Sequence, residues 1–183
     1  FIKGYEDDTI FILNKLKELT TTGIVGYKNS FTYFLNNERY EIDDLDKQNI
    51  LINMFEDSKV SIVYGAAGTG KSTLIKHLCN FYKNNTKLCL ANTNSAVENL
   101  KRDLVTKNTE CTTIYGFLSD YTLKKDYDIL IVDECSTVSN SDMKNILKKC
   151  NFNLLLLVGD TYQIESILYG NWFKIAKTII NSD

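Results

Sequence analysis

Val60-Ser61-Ile62-Val63-Tyr64-Gly65-Ala66-Ala67-Gly68-Thr69-Gly70-Lys71-Ser72-Thr73 is the stretch on which the fold turns. Its first five residues form a short apolar run of the kind a buried strand shows, and Leu74, Ile75, Leu78 and Phe81 follow at helical spacing. Between them Gly65 to Ser72 fits G-x-x-x-x-G-K-[ST]. The order strand, glycine loop, helix predicts a phosphate-binding loop. Glycines let the backbone wrap so that its N–H groups point at phosphate oxygens, and the new helix adds the positive end of its dipole. Lys71 is expected to reach the β- and γ-phosphates of a nucleotide and the Ser72 hydroxyl to ligate Mg²⁺. The nucleotide-binding set is therefore Gly65, Ala66, Ala67, Gly68, Thr69, Gly70, Lys71, Ser72 and Thr73.

Downstream, Asp128-Ile129-Leu130-Ile131-Val132-Asp133-Glu134 is an apolar strand that ends in two carboxylates. In a parallel sheet the C-terminal strand ends face the ligand crevice. Asp133 is expected beside Ser72, holding Mg²⁺. Glu134 is expected to orient and deprotonate a water that attacks the γ-phosphate. The pair also separates classes of nucleotide hydrolase. A regulatory GTPase carries D-x-x-G and N-K-x-D, and neither occurs here.

Around these two elements the pattern alternates. Strands are expected at 59–64, 87–91, 128–132 and 154–158, all apolar without strict alternation, as in parallel strands buried on both faces. Helices are expected near 46–56, 71–83, 95–106 and 141–149, with a last one from Trp172 to Ile180. The plan is α/β, with a doubly wound, mainly parallel sheet over residues 46–183. Residues 1–45 read as an N-terminal accessory segment. Asp7 and Asp8 are expected to cap a helix running to Leu19, ended by Thr20-Thr21-Thr22-Gly23. Phe31–Leu35 and Arg39–Ile42, flanking Asn36-Asn37-Glu38, read as a β-hairpin.

Composition excludes some classes. A chain of 183 residues holds one full core, or one plus a small appendage. No apolar run approaches the ~20 residues of a membrane span, and no secretory pattern is present. The charge of −2, from 21 basic and 23 acidic side chains, gives no strongly basic footprint, although a local groove can still be positive. Five scattered cysteines without a C-x-x-C pair fit free thiols in a reducing cytoplasm, and His77 reads as a packing residue rather than a metal ligand. Phe1 in place of Met reads as a piece of a longer protein.

Further segments fall in order around the loop and Val132-Asp133-Glu134-Cys135-Ser136: Leu45-Asp46-Lys47-Gln48, Leu90 to Leu100 with Asn92-Thr93-Asn94, Thr113-Ile114-Tyr115-Gly116-Phe117-Leu118, and Leu157-Val158-Gly159-Asp160-Thr161-Tyr162-Gln163. Together, over residues 45–170, they resemble the first RecA-like domain of superfamily 1 helicases, most of all the RecD-like 5′-to-3′ branch. The resemblance implies a RecA-like P-loop NTPase fold and an ATP-dependent helicase or translocase moving on single-stranded nucleic acid, DNA in preference. Gln48 matches the glutamine that reads adenine, so ATP is the expected nucleotide, with Mg²⁺. Thr93 and Asn94 match residues that touch the nucleic-acid strand, and they are also suited to cap the helix that starts near Ser95. Tyr115 stands where these helicases carry a histidine; it either stacks on a base or belongs to the core. Gln163 matches the residue that senses γ-phosphate and relays it to the track. Trp172 reads as packing against the sheet rather than as a stacking platform.

The resemblance also implies a partner. Such enzymes hold ATP between two RecA-like domains, the second supplying an arginine worth about 10³–10⁵ in rate. The sequence stops before a second domain, so as it stands it is expected to bind nucleotide but hydrolyse and translocate poorly. Two other readings remain at this point: a switch ATPase in DNA processing or defence that does not unwind, and a nucleotide-binding module without activity. Intact Lys71, Asp133, Glu134 and Gln163 argue against the last.

Overall fold

A computed structural model describes residues 2–38, 40–66, 68–104, 108–120, 125–160 and 172–180. Strands β1 (Val60–Tyr64), β2 (Lys87–Ala91), β3 (Thr109–Thr113), β4 (Lys125–Val132) and β5 (Cys150–Gly159) form one sheet in the order β1-β5-β4-β2-β3. Every pairing is parallel. Between and around them lie α1 (Ile2–Thr20), α2 (Tyr27–Asn37), α3 (Leu45–Asn53), α4 (Lys71–Phe81), α5 (Asn94–Asp103), α6 (Ile114–Ser119), α7 (Asn140–Lys149) and α8 (Trp172–Ile180). The expected α/β plan is present, and β5 separates the loop strand β1 from the Asp133 strand β4.

The central strands explain why apolar runs without alternation were the right signal. Along β5, Leu154, Leu156 and Val158 join the core beneath α2, α3, α4 and α5. Leu155 and Leu157 join the opposite core with α1, α6, α7 and α8. Both faces are dry, so both sets must be apolar.

Two expectations at the N-terminus are corrected. The expected hairpin is replaced by a helix: α2 runs through Tyr27–Asn37, and among the described residues 40–43 has no strand partner. Tyr27, Phe31, Phe34 and Leu35 are the buried residues of α2, a stripe at helical spacing, while Tyr33 is 70% exposed. Tyr27, Phe31 and Phe34 all pack against Phe81 of α4 with ring centroids 4.7–5.8 Å away. That aromatic cluster overrides the strand preference of Phe and Tyr. Asp7 and Asp8 do not cap a helix either. They lie inside α1, which begins at Ile2, and Asp8 pairs with Lys144 of α7. The carboxylate that does cap is Asp44, which accepts from the Asp46 and Lys47 amides at the start of α3.

β3 was not expected. It is the edge strand Thr109-Glu110-Cys111-Thr112-Thr113, paired only to β2 among the described residues. β4 and β5 also start earlier than their apolar runs. Lys125, Asp126 and Tyr127 pair with Cys150, Asn151 and Phe152 on the edge away from the phosphate loop. Trp172 packs, as expected: it is fully buried, and its Nε1 donates to the Val138 carbonyl at 2.8 Å.

Candidate active site

The loop is built by steric exclusion. Gly68 and Gly70 have φ of +80° and +84°, a region that side chains resist. At Gly70 a Cβ would also lie 2.7 Å from both Cε and Nζ of Lys47, which reaches over from α3. Thr69 closes the turn, its Oγ1 donating to the Ala66 carbonyl at 2.9 Å. Gly70 then begins α4 with no side-chain cap and no acidic residue in the first turn. Lys71, Ser72 and Thr73 therefore start a helix whose first turn carries no carboxylate or side-chain cap of its own, which fits an anion. Lys71 Nζ donates to the Gly65 and Ala66 carbonyls, at 2.7 Å each.

The sheet delivers the carboxylates. Asp133 follows β4, its amide donating to the Leu90 carbonyl of β2 at 2.8 Å. Its Oδ1 accepts from the Glu134 amide at 2.8 Å. Ser72, Thr93, Asp133 and Glu134 then line one cleft of about 210 Å³, closed on one side by α5. A hydroxyl and two carboxylates are a hard-oxygen set that suits Mg²⁺. If bound there, the ion would be held by Ser72 and Asp133 and would offset phosphate charge.

Burial pushes Asp133 above the ordinary carboxylate range, against the opposing pull of the Glu134 amide and the Lys71 charge. Glu134 is also raised, by burial first and by the Asp133 charge second. Glu134 has φ 55°, ψ 36°, and is the one non-glycine residue with positive φ among the described residues. Left-handed backbone at such a residue costs on the order of 1–3 kcal/mol and persists only where its surroundings enforce it.

Other expected residues fall at or near this crevice. Gln48 is half-buried on α3, one residue from the Lys47 that touches Gly70. Thr93 caps α5, its Oγ1 accepting from the Ala96 amide at 3.1 Å, and Asn94 is the first helical residue. Thr113 opens α6, and the next residue but one, Tyr115, is 82% exposed. The core alternative for Tyr115 is thereby removed. Ala91 registers with Thr113, so the segments carrying Thr93, Asn94 and Tyr115 leave adjacent strands on one sheet edge. His77 packs, its Nδ1 lying 3.0 Å from the Tyr40 hydroxyl. Ala67 and Gln163 lie outside the described residues. Sequence reasoning missed Lys47 at Gly70, and also Asn92 and Thr137, which join the β2 loop to the turn after Glu134.

A family model described as an AAA domain matches residues 46–181. The chain belongs to that family. The AAA domain is a P-loop ATPase domain, and its nucleotide-binding character agrees with the loop and carboxylates just described. Comparison with curated proteins gave no match. Among the described residues of this AAA domain, no helix is long and apolar enough to cross a membrane.

The raised Asp133 has a measurable consequence. The folded state holds that proton more tightly than the unfolded chain does. Asp133 therefore weakens the fold as pH rises from the ordinary carboxylate range through its raised value, with the loss complete beyond it. Asp133→Asn keeps an acceptor for the Glu134 amide and removes the charge. It should stabilise the ligand-free domain by about 0.5–2 kcal/mol in urea titration near neutral pH, by a margin that shrinks towards about pH 4. Nucleotide affinity should at the same time lose its dependence on Mg²⁺.

Proposed function

We propose that this domain is the first RecA-like motor of a RecD-like superfamily 1 helicase, which hydrolyses ATP to move along single-stranded DNA. The observation that supports it most is the convergence of two features on one sheet edge. Thr93 lines the same cleft as Ser72, Asp133 and Glu134, and the register of β2 with β3 sets the exposed Tyr115 beside that segment.

Glu134 accepts the proton of the attacking water, and its raised affinity for protons suits a base. Lys71 swings from the Gly65 and Ala66 carbonyls to neutralise the transferring phosphate. Gln48 reads adenine, and Gln163 senses the γ-phosphate. A second RecA-like domain of the full-length protein contributes the arginine that completes the site.

The test is single-stranded DNA binding and DNA-stimulated ATPase of the full-length protein. An unbiased oligothymidylate should bind with a shallow salt slope, about −0.7 per phosphate contacted, because the domain is near-neutral. Tyr115→Ala should weaken binding roughly fivefold, the low end of about 1–3 kcal/mol for one stacked base. Thr93→Ala with Asn94→Ala should weaken it further. ATPase indifferent to single-stranded DNA, or binding unaltered in both variants, would defeat the proposal.

A further inference from the structure

Glu134 holds a left-handed backbone conformation, its amide bonded to Asp133 Oδ1 and its carbonyl held by the hydrogen bonds that follow it. The chain enters a short 3₁₀ turn, Cys135–Thr137. Thr137 doubles back on Glu134: its amide donates to the Glu134 carbonyl at 2.9 Å and its Oγ1 to the same oxygen at 2.8 Å. Thr137 is itself held from another strand. Asn92, in the loop after β2, donates through Nδ2 to the Thr137 carbonyl at 2.9 Å and to Thr137 Oγ1 at 2.7 Å. The Thr137 carbonyl can only accept, so the Asn92 amide has one workable orientation. Asn92 N–H, Thr137 O–H and the Glu134 carbonyl then form a donor chain running one way, in which each bond polarises the next.

We infer that Asn92 and Thr137 are positioning residues for Glu134, and that through them the β2 loop carrying Thr93 and Asn94 is mechanically joined to the hydrolytic base. The inference rests on Glu134 acting as that base. Neither residue reaches the reacting atoms. Asn92 is adjacent in sequence to Thr93, which both caps α5 and lines the cleft. A strand of nucleic acid that displaces Thr93 or Asn94 therefore pulls on Asn92, and Asn92 is bonded at two points to the turn that sets Glu134.

Three variants of the full-length protein test this by a split between binding and turnover. Thr137→Val keeps the shape and removes the hydroxyl. Thr137→Ser restores the hydroxyl on a smaller side chain. Asn92→Asp keeps the size but presents a carboxylate to a carbonyl. Fluorescent ATP-analogue affinity should be unchanged in all three. Single-turnover hydrolysis without DNA should fall about tenfold in Thr137→Val, one well-made hydrogen bond's worth of orientation, and return with Thr137→Ser. Asn92→Asp should lower the same rate and also abolish stimulation by oligothymidylate.

A double variant, Asn92→Asp with Thr137→Val, should be no slower than the slower single one, because both break one chain. Thr137→Val and Asn92→Asp turning over like the parent would overturn the inference, as would additive losses or failure of Thr137→Ser to restore the rate. The motor reading fails differently. A parent enzyme indifferent to DNA refutes that reading, while its DNA-free turnover still judges the role of Thr137.

Discussion

Glu134→Gln in the full-length protein should bind ATP–Mg²⁺ like the parent and hydrolyse it about 10²–10⁴-fold more slowly, the usual worth of a positioned general base. Binding should survive for a structural reason. The proposed phosphate-binding elements are the glycine backbone, Lys71 and the open start of α4, and none of them depends on the Glu134 carboxyl. The left-handed backbone at residue 134 should survive too. The bonds that hold it are made by Asp133 to the Glu134 amide and by Thr137 to the Glu134 carbonyl, main-chain atoms that the substitution leaves in place. Gln is isosteric and still carries an oxygen, but it cannot accept the proton. Single-turnover hydrolysis followed with radiolabelled ATP, beside affinity for a fluorescent analogue, separates the two effects. A rate near that of the parent would remove Glu134 from the chemistry and move the base elsewhere.

Lys71→Ala is expected to act at the earlier step. Its ammonium is bonded to two loop carbonyls, and in the proposed site it is the cation that meets the phosphates. Charge-assisted bonds of this kind contribute about 1.5–3 kcal/mol, so affinity for an ATP analogue should drop about ten- to a hundredfold. Stability should change little. The lysine also draws Asp133 back towards its ordinary range. Removing it should leave the buried carboxylate still harder to ionise and so weaken the Mg²⁺ dependence of whatever binding remains. Equal affinities in variant and parent would mean that the loop is not a nucleotide site.

The parts of the fold legible in the sequence were those whose surroundings are uniform. Residues 88–91 of β2, 129–132 of β4 and 154–158 of β5 are apolar and buried, so composition alone marks them, whereas the polar starts of β4 and β5 carry no such signal. The edge strand β3 has one neighbour among the described residues and is built from three threonines, a glutamate and a cysteine. Such a segment carries no burial signal. α2 failed for a different reason. Phe31 to Leu35 looks strand-like in a five-residue window. The helical stripe appears only when Tyr27 is included, and its partner Phe81 is far along the chain. At the candidate site, the meeting of Ser72, Asp133 and Glu134 in one cleft was readable because each belongs to a contiguous motif at a strand end. Thr137 belongs to no motif, and Lys47 and Asn92 lie in segments read only for their neighbours Gln48, Thr93 and Asn94. Asn92 meets Thr137 across 45 residues, through a sheet order that local sequence does not encode.

The strand order also bears on biosynthesis. Among the described residues β1 has a single partner in the sheet, β5, with Val60 opposite Leu155 and Tyr64 opposite Gly159. A ribosome delivers the chain N-terminus first, at about 5–20 residues per second. The glycine loop thus emerges long before the strand that will hold its base in place. α1 waits as well, since Ile12 and Leu16 pack in one cluster with Met143, Ile146 and Trp172. The long-range contacts of the nascent chain close only when β5 and the helices flanking it are out, and a fold so dependent on distant pairings is slow to nucleate. Nucleotide therefore has no folded site to bind on a chain arrested before Gly159. A nucleotide held by the loop would therefore stabilise this domain only once β5 has been made.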